Sequence, residues 1–316
     1  MKNYTLLTSV LISIFILTAC GSHDKSNQLI IFHAGSLSVP IKEVANAFNA
    51  ENPEIKILTE AAGSRACARK ITDLNKDCDV MTSADYTVID QLLIPDYASW
   101  NIKFASNKMV IVFTEKSRYS NRIDSSNWFE ILLEDDVTFG RSDPNSDPCG
   151  YRTVLVSKLA ETHYQIPGFA EQFLAKDQKY IRPKETDLLA LLETNSLDYV
   201  FIYHSVAVQH QLKFIELPPN INLENPRYAD FYKQASVEIS GKKLGERITK
   251  IGEPMIYGVT VLKNAPHKET AFKFVNFLLS EKGMRIIEKN GQPSVLPMAT
   301  DSYDQIPEAL KKYALK

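Results

Sequence analysis

The sequence runs to 316 residues, with 36 Lys and Arg against 38 Asp and Glu, a formal charge of −2 and 44% apolar residues. That balance offers no basic face for nucleic acid, and the length exceeds what one compact core usually holds, so two lobes are expected. No GxSxG, HExxH, P-loop or dinucleotide-binding glycine pattern occurs, and His33, His204 and His210 are scattered, which argues against the common hydrolase and nucleotide chemistries.

Lys2 is the only charge in 1–19; an apolar stretch over 6–17 leads to Leu17-Thr18-Ala19-Cys20. This is the pattern of a secretory signal ending in a lipobox, since a dozen apolar residues fall short of the ~20 that a permanent membrane span needs. Removal of 1–19, a lipid on the Cys20 thiol and a polar tether over 20–27 are expected. Loss of Lys2 leaves 35 basic and 38 acidic side chains, a formal charge of −3. A plain secretory signal is the alternative.

From residue 29 short β-branched runs alternate with helix-period segments, as in a parallel α/β sheet. Residues 29–32 read as a buried strand, after which Ala34-Gly35-Ser36 turns the chain into a helix with Pro40 in its first turn and Val44 and Phe48 on one face. A strand at 54–58 leads through Ala61-Ala62-Gly63-Ser64 to a helix over 65–74, and a third strand at 78–81 precedes a helix after Asp85-Tyr86. The apolar run 107–114 reads as the crossing into a second lobe; 255–262 has the same character and runs back, and 269–291 forms an amphipathic helical tail. Two crossings make a hinge. Between them come a strand at 137–140, a turn-rich loop at 141–150, a helix over 151–164, the segment 180–185 with a helix over 186–193, and a buried strand at 199–203. The expected boundaries are 28–108 with 263–316 for lobe 1, and 109–262 for lobe 2.

Ligands of open parallel α/β sheets gather at the carboxyl ends of strands, beside helix N-termini with free N–H groups. Gly35-Ser36 and Gly63-Ser64 each join close backbone approach to a hydroxyl, at equivalent places in successive units, and together indicate an anion-friendly cleft. Plainer readings stand beside this one. Serine caps helices, Asp147-Pro148 fits an N-cap and first helical position, Glu185 suits a helix dipole, and Tyr203 fits a core tyrosine. Cys67, Cys78 and Cys149 form no CxxC pair; a Cys67–Cys78 bridge and buried free thiols are both open.

FHAGSLSVP at 32–40, EAAGS at 60–64, SDPNSDPCGYR at 142–152, IRPKETDLLALLE at 181–193, DYVFIYHSVAVQH at 198–210, YADFYK at 228–233 and YGVTV at 257–261 stand in one order along the chain. Together they resemble the tungstate/molybdate-binding proteins of ABC importers, in the archaeal-type branch, over nearly the whole mature chain. The resemblance implies an α/β, two-lobed type II periplasmic-binding-protein fold with the ligand in the interlobe cleft. It implies tungstate or molybdate as ligand, no cofactor, and permease and ATPase partners; a monomer is expected, with the anchoring at the cell envelope resting on the lipobox. It places Ser36, Leu37 and Ser64 on the oxyanion from the first lobe, and Asp147, Pro148, Cys149, Glu185 and Tyr203 from the second.

Two of these, Asp147 and Glu185, would approach the metal centre itself. Asp147 is preferred to Asp143 because it stands in DPCGYR, at the helix start. A carboxylate should repel a dianion, but tungsten(VI) and molybdenum(VI) are large, hard centres that accept further oxygen donors. Sulfur and phosphorus are not, which would exclude smaller anions. The alternative chemistry is one acid kept protonated as a donor, and the alternative ligand is sulfate, phosphate or an iron-carbonate complex in the same fold. The chain departs from the family pattern by a shorter connection between 164 and 180.

Overall fold

A computed structural model describes residues 27–316; the expected signal at 1–19 and the lipid site Cys20 lie outside the described residues. The β-branched start forms β1 (Gln28–Ala34), followed by β2 (Lys56–Ala62), β3 (Val80–Ser83) and β4 (Ile102–Ser106). β1 lies between β2 and β3 and runs parallel to both. The helices Ser38–Asn49 and Ser64–Thr72 make the crossovers. The first buries Pro40, Ile41, Val44, Ala45 and Phe48, the three-to-four spacing of one helical face.

Asn107 and Lys108 carry the chain into the second lobe, which it enters as β5 (Met109–Phe113). There β6 (Phe139–Ser142), β7 (Ile181–Arg182), β8 (Tyr199–Tyr203) and β9 (Lys213–Glu216) complete a sheet of order β7-β6-β8-β5-β9. β6 is parallel to β7 and β8, whereas β5 is antiparallel to β8 and β9. The helix Pro148–Tyr164 follows β6. An antiparallel hairpin, β10 (Ser236–Ser240) with β11 (Arg247–Ile251), precedes β12 (Ile256–Val261).

β12 lies antiparallel between β3 and β4, giving the first sheet the order β2-β1-β3-β12-β4. Each sheet thus receives one antiparallel strand from a crossing, one place in from its edge, and keeps three parallel strands to carry loops. The expected second lobe, 109–262, included this strand; the structure gives it to the first sheet, so the return crossing comes before Ile256. An apolar run buried on both faces looks alike in either sheet, and only its pairing decides.

Local differences have similar causes. The tail is two helices, Lys268–Leu279 and Glu281–Lys289, parted by extended backbone at Ser280 (ψ 164°), whose hydroxyl accepts the Gly283 N–H at 3.3 Å. β6 sits two residues later than expected because its pairing with β7 joins Arg141 to Ile181 and Ser142 to Arg182. The second lobe packs around Trp128, fully buried, with the Phe169 and Phe201 rings edge-on at 5.6 and 5.7 Å. Cys67, Cys78 and Cys149 are free and buried, so the two open readings resolve to unbridged thiols. Cys67 Sγ donates to the His33 carbonyl at 3.5 Å and Cys78 Sγ to that of Val80 at 3.2 Å. Burial pushes the Cys67 thiol up to about 12, which makes it a packing group rather than a nucleophile.

Candidate functional site

Six strand ends face one another across the gap between lobes. From the first lobe, β1 leads into Ser36 and Leu37, β2 into Ser64, and β3 into Ala84 and Asp85. From the second, β6 leads towards Asp147, β7 towards Glu185, and β8 ends on Tyr203. The opposing loops touch. A Cβ placed on Gly35 would lie 2.8 and 2.9 Å from the Glu185 carboxylate oxygens, and one on Gly63 would lie 2.8 Å from Asp147 Cβ and closer still to the Ser146 carbonyl oxygen. Ala66 N–H also donates to that carbonyl at 3.0 Å. What the two glycines admit is therefore the opposite lobe.

The hydroxyls are buried and backed by donors. Ser64 Oγ accepts the Ala84 N–H at 2.9 Å, and the Tyr203 hydroxyl accepts from Arg152 Nη1 at 2.9 Å. Each keeps its own proton for a different acceptor. Ser36 Oγ lies 2.9 Å from the Tyr257 hydroxyl. Leu37 has a fully buried side chain, which leaves only its backbone, in the first turn after β1, to face the gap. Pro148 has no N–H to give. The Cys149 N–H donates to Asp147 Oδ1 at 3.1 Å, and its thiol faces the Phe201 carbonyl at 3.7 Å.

The two acids differ in how they are held. Asp147 is the N-cap of its helix, and its second oxygen accepts the Glu185 N–H at 3.0 Å, so the capping residue stands beside the second acid. Asp143 instead braces its own turn, accepting from Asn145 N at 2.9 Å and Ser146 Oγ at 3.0 Å. The Glu185 carboxylate, 1% exposed, meets no hydrogen-bond donor of regular geometry and does not cap its own short helix. Burial first, then the charge of Asp147, pushes Glu185 well above the usual carboxylate range. Burial raises Asp147 as well, opposed by the neighbouring Glu185 and Ser142 side chains and by its bonds from the Cys149 and Glu185 amides. Two buried acids this close hold protons at pH values where free carboxylates have lost theirs.

A second cluster escaped the sequence reading. Asp85, in the loop after β3, accepts a hydrogen bond from the Tyr151 hydroxyl and lies 3.2 Å from Lys250 Nζ and 3.8 Å from Arg152 Nη2. Burial opposes its ionisation, but Lys250, Arg152 and the Tyr151 hydrogen bond prevail and hold it well below the usual range. Arg152 Nη1 also donates to the Ala84 carbonyl at 2.7 Å. Nearby, Arg65 Nε donates to the Asn145 carbonyl at 3.1 Å and Arg69 to that of Gly241 at 2.7 Å, tying the β10–β11 hairpin to the first lobe. Tyr151 and Arg152 stand in the DPCGYR run, where they read only as first-turn helix residues; nothing local announces a partner 66 positions away. By contrast, a surface cavity of about 520 Å³ beside Gln28, Ile30 and His267 opens at the amino end of β1 and includes none of the expected site residues.

Residues 29–292 match the family model described as bacterial extracellular solute-binding protein. The chain is 47% identical to an uncharacterized solute-binding protein of Petrotoga mobilis, covering 99% of this chain and 98% of that one. It is 43% identical to the molybdate/tungstate-binding protein WtpA of Pyrococcus abyssi, over 96% of each. Its fold is shared with the periplasmic molybdate-binding protein of Azotobacter vinelandii, at TM-score 0.62 and 17% identity over 85% of this chain and 99% of the other. The sulfate-binding protein SubI of Mycobacterium tuberculosis also shares it, at TM-score 0.61 and 14% identity over 85% and 87%.

Proposed function

Because the chain belongs to the family of bacterial extracellular solute-binding proteins, we propose that it captures tungstate or molybdate between its lobes and delivers it to an import permease driven by a separate ATPase. The observation that carries this reading is the meeting of hydroxyl donors, Ser64 and Tyr203, with two buried acids, Asp147 and Glu185, at one set of strand ends. The hydroxyls suit the oxygens of an anion. The acids suit a centre that can take further oxygen ligands, which tungsten(VI) and molybdenum(VI) do and sulfur and phosphorus do not. Relatives named for molybdate and tungstate support the choice. Fold alone does not make it, because a sulfate-binding protein shares the fold.

Calorimetric titration of the chain from Cys20 onward with tungstate, molybdate, sulfate and phosphate tests the ligand. Tungstate and molybdate are expected to bind at least ~100-fold more tightly than sulfate, about 2.7 kcal/mol. Tighter binding of sulfate than of tungstate would overturn the assignment.

The same reading makes the protein a monomeric receptor held at the outer face of the membrane through Cys20. Labelled palmitate should enter the wild-type chain and not Cys20→Ser. Equal labelling of the two would remove the anchor from the account while leaving the receptor.

A further inference from the structure

Behind Ser36 a buried set of side chains joins the outgoing crossing to the strand that follows the return one. Asn107 stands between β4 and β5, and Tyr257 is in β12; each is at most 3% exposed. Asn107 Oδ1 accepts the backbone N–H groups of Lys108 at 2.9 Å and Ser205 at 3.3 Å. That fixes the amide orientation, because only the oxygen can accept from an N–H. The amide nitrogen then gives its two protons to Ser205 Oγ and the Tyr257 hydroxyl, both at 2.8 Å. A tyrosine hydroxyl that accepts from Asn107 still has one proton to place, and its other partner is Ser36 Oγ at 2.9 Å. Ser36 accepts it, so the proton of Ser36 is left to point elsewhere.

We propose that Asn107 and Tyr257 are positioning residues that set the polarity of Ser36, holding its hydroxyl as a donor towards the bound oxyanion. The inference rests on the oxyanion reading and extends it. Without the relay, Ser36 could give its proton to Tyr257 and turn a lone pair towards an anion, which repels it. Ser64 and Tyr203 are already fixed as donors by the Ala84 N–H and by Arg152. Asn107, acting through Tyr257, makes the third hydroxyl match them. Asn107 lies in the outgoing crossing and Tyr257 in the strand that follows the return crossing, so the polarity of Ser36 depends on these two segments lying side by side.

Asn107→Asp tests the direction of the relay. A carboxylate at 107 accepts the Tyr257 proton, Tyr257 then accepts that of Ser36, and a lone pair faces the ligand; tungstate affinity should fall ~100-fold. The added charge would weaken binding too, so the double variant Asn107→Asp/Tyr257→Phe decides between the causes. It keeps the carboxylate but removes the hydroxyl that transmits its demand, and affinity should recover at least about tenfold over the single variant. Tyr257→Phe alone should weaken binding by no more than about tenfold, because Ser36 loses the donor that orients it but keeps its proton. Each affinity is read by calorimetric titration with sodium tungstate at one pH, on protein with a single cooperative thermal transition.

Equal weakness of Asn107→Asp and the double variant would overturn the relay, as would an Asn107→Asp protein that binds like wild type. Wild-type protein that binds neither tungstate nor molybdate would instead sink the ligand assignment, a result distinct from either.

Discussion

Glu185→Gln is expected to weaken tungstate binding on the order of 100-fold while raising the unfolding temperature of the ligand-free protein by ~2–4 °C at neutral pH. The opposite signs follow from one fact. The Glu185 carboxylate is buried against Gly35 with no donor of regular geometry, so in ligand-free protein little repays its charge for the loss of water. Burial and the charge of Asp147 raise its pKa well above the ordinary 4.5. A carboxyl raised on folding contributes its full stability below that ordinary value and loses it as pH rises through the folded value. Glutamine does not titrate, so the advantage of the variant should be small near pH 4 and grow towards pH 8. Scanning calorimetry across that range, with and without tungstate, measures both effects. A Gln variant that binds normally and melts lower at pH 8 would restore the plain reading of Glu185 as a dipole partner, for which the stake is only about 0.3–1 kcal/mol.

Gly63→Ala should abolish closure, with tungstate affinity falling ~1000-fold. The backbone at Gly63 has φ −58° and ψ 141°, which alanine adopts freely, so each lobe should fold as before. The obstacle is the Cβ itself, which would overlap the Ser146 carbonyl oxygen and come 2.8 Å from Asp147 Cβ. Both are anchored in the second lobe's backbone and have no rotamer by which to yield. Gly35→Ala meets only the end of the Glu185 side chain, so its loss should be nearer ~10-fold. Small-angle scattering with saturating tungstate should show wild type contracting and Gly63→Ala failing to contract. A contraction in the variant would show that the loops yield and that the glycine is not needed for approach.

The placement of these residues shows what a chain can and cannot say about itself. The strand-end positions of Ser36, Ser64 and Tyr203 were legible because a parallel strand followed by a helix directs its loop to one edge of a sheet, wherever the rest of the chain goes. Asp147 was separable from Asp143 only through motif resemblance; the physical difference, that Asp143 braces its own turn through Asn145 and Ser146, depends on loop geometry. Asn107, Tyr257, Asp85 and Arg152 carried no signal. Each acquires its role from a partner in another segment, and a buried Tyr257 in an apolar strand looks the same whether its hydroxyl meets Asn107 or merely fills a core. The membership of β12 in the first sheet was hidden for a related reason, since pairing, not composition, assigns a strand. The β10–β11 hairpin was missed because five-residue strands with mixed burial leave too short a pattern to register.

Asp85 meets Lys250, Arg152 and Tyr151 across the gap and out of reach of water. Parting the lobes pulls these groups from one another before solvent can replace them, and that lag is a barrier in its own right. On the proposed function, a captured ion would leave no faster than the latch releases. On the same reading its dwell time, and with it the interval available for finding a permease, would be set by the four side chains of this latch. The cleft keeps time as well as cargo.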